Sequence, residues 1–183
     1  MQTEKNSQKH ISIQRIALCA ILSALSILMG KYLAINIGES IRLSFENLPI
    51  LIAGFYLGPL AGAAVGIVAD LVGCLLVGYS INPIITLGAA TVGVLSGIAG
   101  TLKCKSNLKK VLIVVIPAHA LGSVLIKTAG LVIYYRMPFL ATLGWRALTY
   151  VIIAVLEIIL MLALTGSRAI NMQMKRFTSH KDL

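Results

Sequence analysis

Apolar residues run along this chain in stretches far longer than a soluble helix or strand needs, broken by short polar, glycine-proline or basic segments. A bilayer core of ~30 Å takes ~20 helical residues per crossing. The stretches predict six transmembrane helices, at 13–33, 47–57, 59–77, 83–102, 108–135 and 143–170. The second is the shortest and would rise only about 16 Å. It can cross only if it begins inside the preceding loop or is shielded by protein. Gly58-Pro59 predicts a tight turn after it, with Pro59 at the first helical position. A single helix through Pro59 would instead leave five crossings. Gly58, Gly62 and Gly66 recur at every fourth position and Gly93 pairs with Gly97, so the third and fourth helices should pack closely. No internal repeat is detected, so a carrier built from inverted halves is not supported.

Charge orients these spans. Eleven of the sixteen basic residues fall in three clusters: Lys5, Lys9 and Arg15; Lys103, Lys105, Lys109 and Lys110; Arg168, Lys175, Arg176 and Lys181. By the positive-inside rule all three face the cytoplasm, which requires an even number of crossings between them and places both termini inside. The expected organisation is a cytoplasmic arm at 1–12, a six-helix transmembrane substrate-binding domain at 13–170 and a basic cytoplasmic tail at 171–183. Composition agrees, with 58% hydrophobic and 12% charged residues and a mean hydropathy of +0.92. The net charge of +10 sits where anionic lipid of a cytoplasmic leaflet would hold it, so no nucleic-acid partner is expected. The apolar run from Ile16 to Met29 continues without a small-residue cleavage site and is read as a retained first helix.

Three segments are then expected to face outward: 34–46, 78–82 and 136–142. They carry Arg42, Phe45, Glu46, Tyr79, Asn82, Arg136 and Phe139, with Trp145 and Arg146 just inside the last helix. Aromatics mixed with isolated cations suit a flat anionic ligand, although interfacial aromatics and helix-capping arginines would look the same. An ionisable group near the bilayer centre costs at least ~2.5–3.5 kcal/mol and is rare by default. Asp70, Lys127 and Glu157 are such groups. Lys127 lies roughly 12 Å below the outer end of its helix and Asp70 about 11 residues into its own, so an ion pair between them is one arrangement these depths allow. Glu157 lies roughly 16 Å below Arg146 and cannot reach it along a straight helix. It should have another interior partner.

Several chemistries are absent. No GxxxxGKS/T loop is present for ATP hydrolysis, and His10, His119 and His180 form no metal-ligating pair. Cys19, Cys74 and Cys104 are too widely spaced for a disulfide framework or a metal site. His119, beside Pro117, reads as a packed polar residue. Neither enzymatic activity nor a metal or other cofactor is expected.

The segment RLSFENLPILIAGFYLGPLAGAAVGIVADLVG, residues 42–73, resembles the second and third helices of S components of energy-coupling factor (ECF) vitamin transporters, with the folate family closest. YSINPIITLGAA at 79–90 and YYRMPFLATLGWR at 134–146 extend the likeness over most of the chain. The resemblance implies an all-α, S-component-like bundle in a prokaryotic plasma membrane. Such a subunit captures a vitamin from outside and reorients in the membrane to deliver it, energised by a T component and two ATPases. In the family an alanine motif on the first helix contacts the T component, and Ala20 and Ala24 are the matching positions.

Folate joins a flat pterin, an aromatic ring and a glutamate, and needs stacking faces, polar groups and cations. Expected for it are Arg42, Lys127 and Arg146 toward anionic or carbonyl groups, Phe45, Tyr79 and Trp145 for stacking, and Asn47 and Asn82 for hydrogen bonds. Arg136 would only steer. Another vitamin or precursor, such as riboflavin, pantothenate or a deazapurine, is the alternative within the class. A self-contained carrier, or an assembly subunit with no ligand of its own, is the alternative outside it.

Overall fold

The computed structural model describes residues 2–37, 41–104 and 106–178, with the side chains of 2–12, 36–37, 41–42 and 175–178 outside that description. Helix α1 (Gln2–Ile27) runs on as a π-helical turn, Leu28–Tyr32. A two-stranded antiparallel ribbon follows, β1 (Ile35–Ile37) and β2 (Ile41–Leu43), with Asn36 opposite Arg42. Next come α2 (Asn47–Leu57), α3 (Pro59–Val77) and α4 (Pro83–Thr101). A long fifth rod is built from α5 (Asn107–Pro117), a π-helical stretch Ala118–Ile126 and α6 (Lys127–Tyr135). Finally α7 (Phe139–Gly166) is followed by the short α8 (Arg168–Thr178).

Among the described residues five helical rods are long and apolar enough to cross a membrane: Ile13–Tyr32, Pro59–Val77, Pro83–Thr101, Asn107–Tyr135 and Phe139–Gly166. The second predicted segment has the predicted bounds, Asn47–Leu57, and is too short on its own. It is shielded by protein, because Asn47, Leu51 and Ala53 have no exposed surface and Ile50 is also buried. Its ladder needs no water, and Ser96 donates to the Leu51 carbonyl at 2.6 Å.

Local chemistry sets the turns. Gly58 takes φ 96°, open to glycine, and Pro59 starts α3. Gly78 closes α3 in the left-handed region, with the Tyr79 amide returning to the Cys74 carbonyl at 2.9 Å. Asn82 caps α4, its side-chain oxygen accepting from the amides of Ile84 (3.0 Å) and Ile85 (3.4 Å) ahead of Pro83. The last long helix starts four residues earlier than the sequence suggests. Arg136 ends α6 at φ 53°, Met137 is turned out of helix by the following proline, and α7 begins directly after Pro138.

The predicted close approach of the third and fourth helices is present, and α2 joins it. A Cβ added to Gly62 or to Gly54 would lie 2.5 Å from the Gly93 carbonyl oxygen, and one on Gly66 would lie 2.5 Å from that of Ala89. Backbone therefore meets backbone along this seam. Around it, Val65, Val92, Val111, Val114 and Met161 complete a core with almost no exposed surface.

Candidate substrate-binding site

A cavity of about 420 Å³ opens at the end of the bundle that carries the β1–β2 ribbon, the α3–α4 turn and the α6–α7 turn. Ligand pockets commonly begin at about 300 Å³. Of the eight residues expected from sequence, Tyr79, Asn82, Lys127, Trp145 and Arg146 line it. Arg42 lies in β2 two positions before the lining residue Ser44, and its own side chain falls outside the described residues. Phe45 and Asn47 do not line the cavity. Phe45 is partly buried ahead of α2, while Asn47 lies fully buried behind Lys127.

The floor is polar. Lys127, 4% exposed, donates from Nζ to Glu46 Oε1 at 2.7 Å and approaches Asn47 Oδ1 at 3.5 Å. The same amide donates to Ser123 Oγ at 3.1 Å. The Asp70–Lys127 ion pair suggested by depth is thus not formed. Because α2 is short and embedded, its first residues start inside the bundle and carry the capping Glu46 down to Lys127. Asp70 instead accepts from Thr86 Oγ1 at 2.6 Å. Asn82 also has a structural duty, since its amide donates to the Gly130 carbonyl at 2.9 Å while its oxygen caps α4.

The wall formed by α7 presents Arg146, Thr149 and Tyr150, three and four residues apart and so on one face. Arg146 donates from Nη2 to the Ser123 carbonyl at 2.6 Å, and its guanidinium lies 5.2 Å from the Tyr150 ring centre. Toward the mouth stand the half-exposed Tyr79, Tyr135 and Trp145. Lys31, from the π turn after α1, reaches between Cys74 Sγ (3.9 Å) and the Tyr79 ring (5.5 Å). Lys31, Glu46, Tyr135, Thr149 and Tyr150 were missed as site residues. Only the last two carried a usable signal, their helical spacing from Arg146.

The π stretch after Pro117 arranges the rest. It sets His119, Ser123 and Lys127 at four-residue intervals, all buried, with His119 against Glu157, Ser123 against Asn47, and Lys127 against Glu46 and Asn47. His119 Nε2 lies 2.6 Å from Glu157 Oε2, which supplies the interior partner expected for Glu157. The imidazole also lies 5.3 Å from the Tyr150 ring. Among the described residues no group of three or more His, Cys, Asp or Glu side chains could hold a metal.

The cavity thus offers aromatic faces at its mouth, hydrogen-bonding groups at its floor and three cations, Lys31, Lys127 and Arg146, against two acids, Glu46 and Asp70. Comparison with solved structures finds this architecture in the crystal structure of FolT bound with folic acid, at 24% identity and a TM-score of 0.65 over 79% of this chain and 86% of that one. It also finds the S component of a bacterial ECF transporter, at 21% identity and a TM-score of 0.60 over 85% of this chain and 97% of that one. No curated protein matches the chain in sequence. The family described as "ECF transporter, substrate-specific component" matches residues 14–166, nearly all of the helical bundle. The chain belongs to this family of membrane proteins, the substrate-binding subunits of ECF transporters.

Proposed function

We propose that the chain captures folate at the outer face of a prokaryotic plasma membrane and delivers it inward with a T component and two ATPases. The observation that carries this reading is the cavity itself, where Tyr79, Tyr135 and Trp145 surround an excess of cations over acids. A flat heterocycle stacks on the aromatic mouth while carboxylates find Arg146 and Lys31. Lys127, already held by Glu46, offers a donor of fixed direction. Arg42, in β2 two positions before the lining Ser44, is a further candidate cation for the ligand, and Asn47 acts through Lys127 by holding it. The FolT structure with folic acid, similar in fold, supports the choice of ligand.

In this reading the chain crosses the bilayer six times, α2 crossing inside protein, with both termini cytoplasmic. Ala20 and Ala24 face outward from α1 while Leu22, Ser23 and Ser26 face inward, which leaves the alanine ridge open to a T component. The test is titration of the detergent-solubilised chain with folic acid, following heat and the emission of Trp145, its only tryptophan. Saturable binding at submicromolar concentration with altered Trp145 emission is expected. A folded sample that gives neither signal refutes folate as the ligand.

A further inference from the structure

Asp70 stands about two-thirds of the way along α3, in a span long enough to cross the membrane. The fold does not account for a carboxylate there. Among the described residues no Lys, Arg or His nitrogen lies within 4.0 Å of it, the two ion pairs being His119–Glu157 and Lys127–Glu46. Its one hydrogen bond among the described residues comes from Thr86 on α4, to Oδ2 at 2.6 Å. Oδ1 has no such partner, and the residue, partly exposed, lines the cavity. A carboxylate fixed through one oxygen and facing the cavity keeps several lone-pair sites for a ligand that brings donors.

The surroundings restrict which donors those are. Lys31, Lys127 and Arg146 line the same cavity and repel a cationic ligand. The donors are therefore neutral, and a carboxylate is best matched by two N–H groups side by side. We propose that Asp70, oriented by Thr86, is a specificity-determining residue that accepts the ring N–H and exocyclic amine of a fused 2-aminopyrimidin-4-one. Pterins and 7-deazaguanines carry that edge. The flavin ring places its single imide N–H between two carbonyls, which the carboxylate repels, and pantothenate has no such edge. The inference rests on the cavity being the vitamin site, and it divides the candidate ligands by chemistry.

The test titrates the unmodified protein with folic acid and with its 2-desamino-2-methyl analogue, which lacks the exocyclic donor. The analogue should bind at least tenfold more weakly, since a hydrogen bond to a charged group is lost. Asp70→Asn should weaken folic acid more than the analogue, which presents only the ring N–H to residue 70, and so narrow the gap between the two. Thr86→Val, which leaves the carboxylate in place, should narrow the gap and provides a second readout where Asp70→Asn fails to fold. Equal binding of both ligands by the unmodified protein overturns the role of Asp70 while folate capture stands. Failure of folic acid combined with Asp70-dependent binding of a 7-deazaguanine overturns folate capture and upholds Asp70. Binding of riboflavin in preference to every aminopyrimidone overturns both.

Discussion

Arg146 is oriented by its own protein, through the 2.6 Å bond to the Ser123 carbonyl and the Tyr150 ring beneath it. Such a guanidinium loses little freedom when it meets a carboxylate. Arg146→Ala should therefore weaken folic acid by tenfold or more, measured by Trp145 emission, and leave assembly with the T component and ATPases intact. Unchanged affinity would remove Arg146 from the site. The single residues were legible to the extent that cost made them conspicuous. Asp70, Lys127 and Glu157 stand out because charge in an apolar span needs a reason, yet their partners did not. Glu46 was assigned to an outer loop, and His119 is 38 positions from Glu157. Depth along a helix can be counted from sequence, but rotation about its axis cannot, and rotation decides which side chains meet.

The elements show where that rotation is set. Three helix bounds follow closely from glycine, proline and asparagine punctuation, because those residues act on their own backbone. The π stretch Ala118–Ile126 has no comparable signature beyond Pro117. Its wider turns shift the register of everything after it, which is why Lys127 faces Glu46. The three-residue strands of the ribbon were too short to read from alternation. The glycine seam was legible because the fourfold spacing is itself the packing device. Gly93→Ala should drive a methyl group into the Gly62 backbone and lower stability by about 1–3 kcal/mol. Gly144→Ala, on α7 where nothing lies within 4 Å of the new Cβ, should be neutral or gain up to about 1 kcal/mol. Melting of the two variants in detergent compares them directly, and equal melting temperatures would refute the seam's role.

For the molecule as a whole, the proposed function assigns capture and energised delivery to different surfaces. The cavity is built from α3, α4, α6, α7 and the residues around the ribbon, whereas Ala20 and Ala24 lie on the outer face of α1. Ala24→Trp should leave the folic acid titration unchanged and cut uptake at least tenfold in vesicles containing the T component and ATPases. Equal uptake would show that this ridge is not the partner contact. The contrast between the two sides of the cavity has one more consequence. Where α2, α3 and α4 touch backbone to backbone there is little side chain to exchange, so that side of the bundle has little capacity to vary. Divergence toward a new ligand has to be written on the cavity-facing positions, on α6, α7 and the ribbon and at Asp70 and Thr86 beyond the seam, and related chains with different cargo should resemble one another most along the seam that no ligand touches.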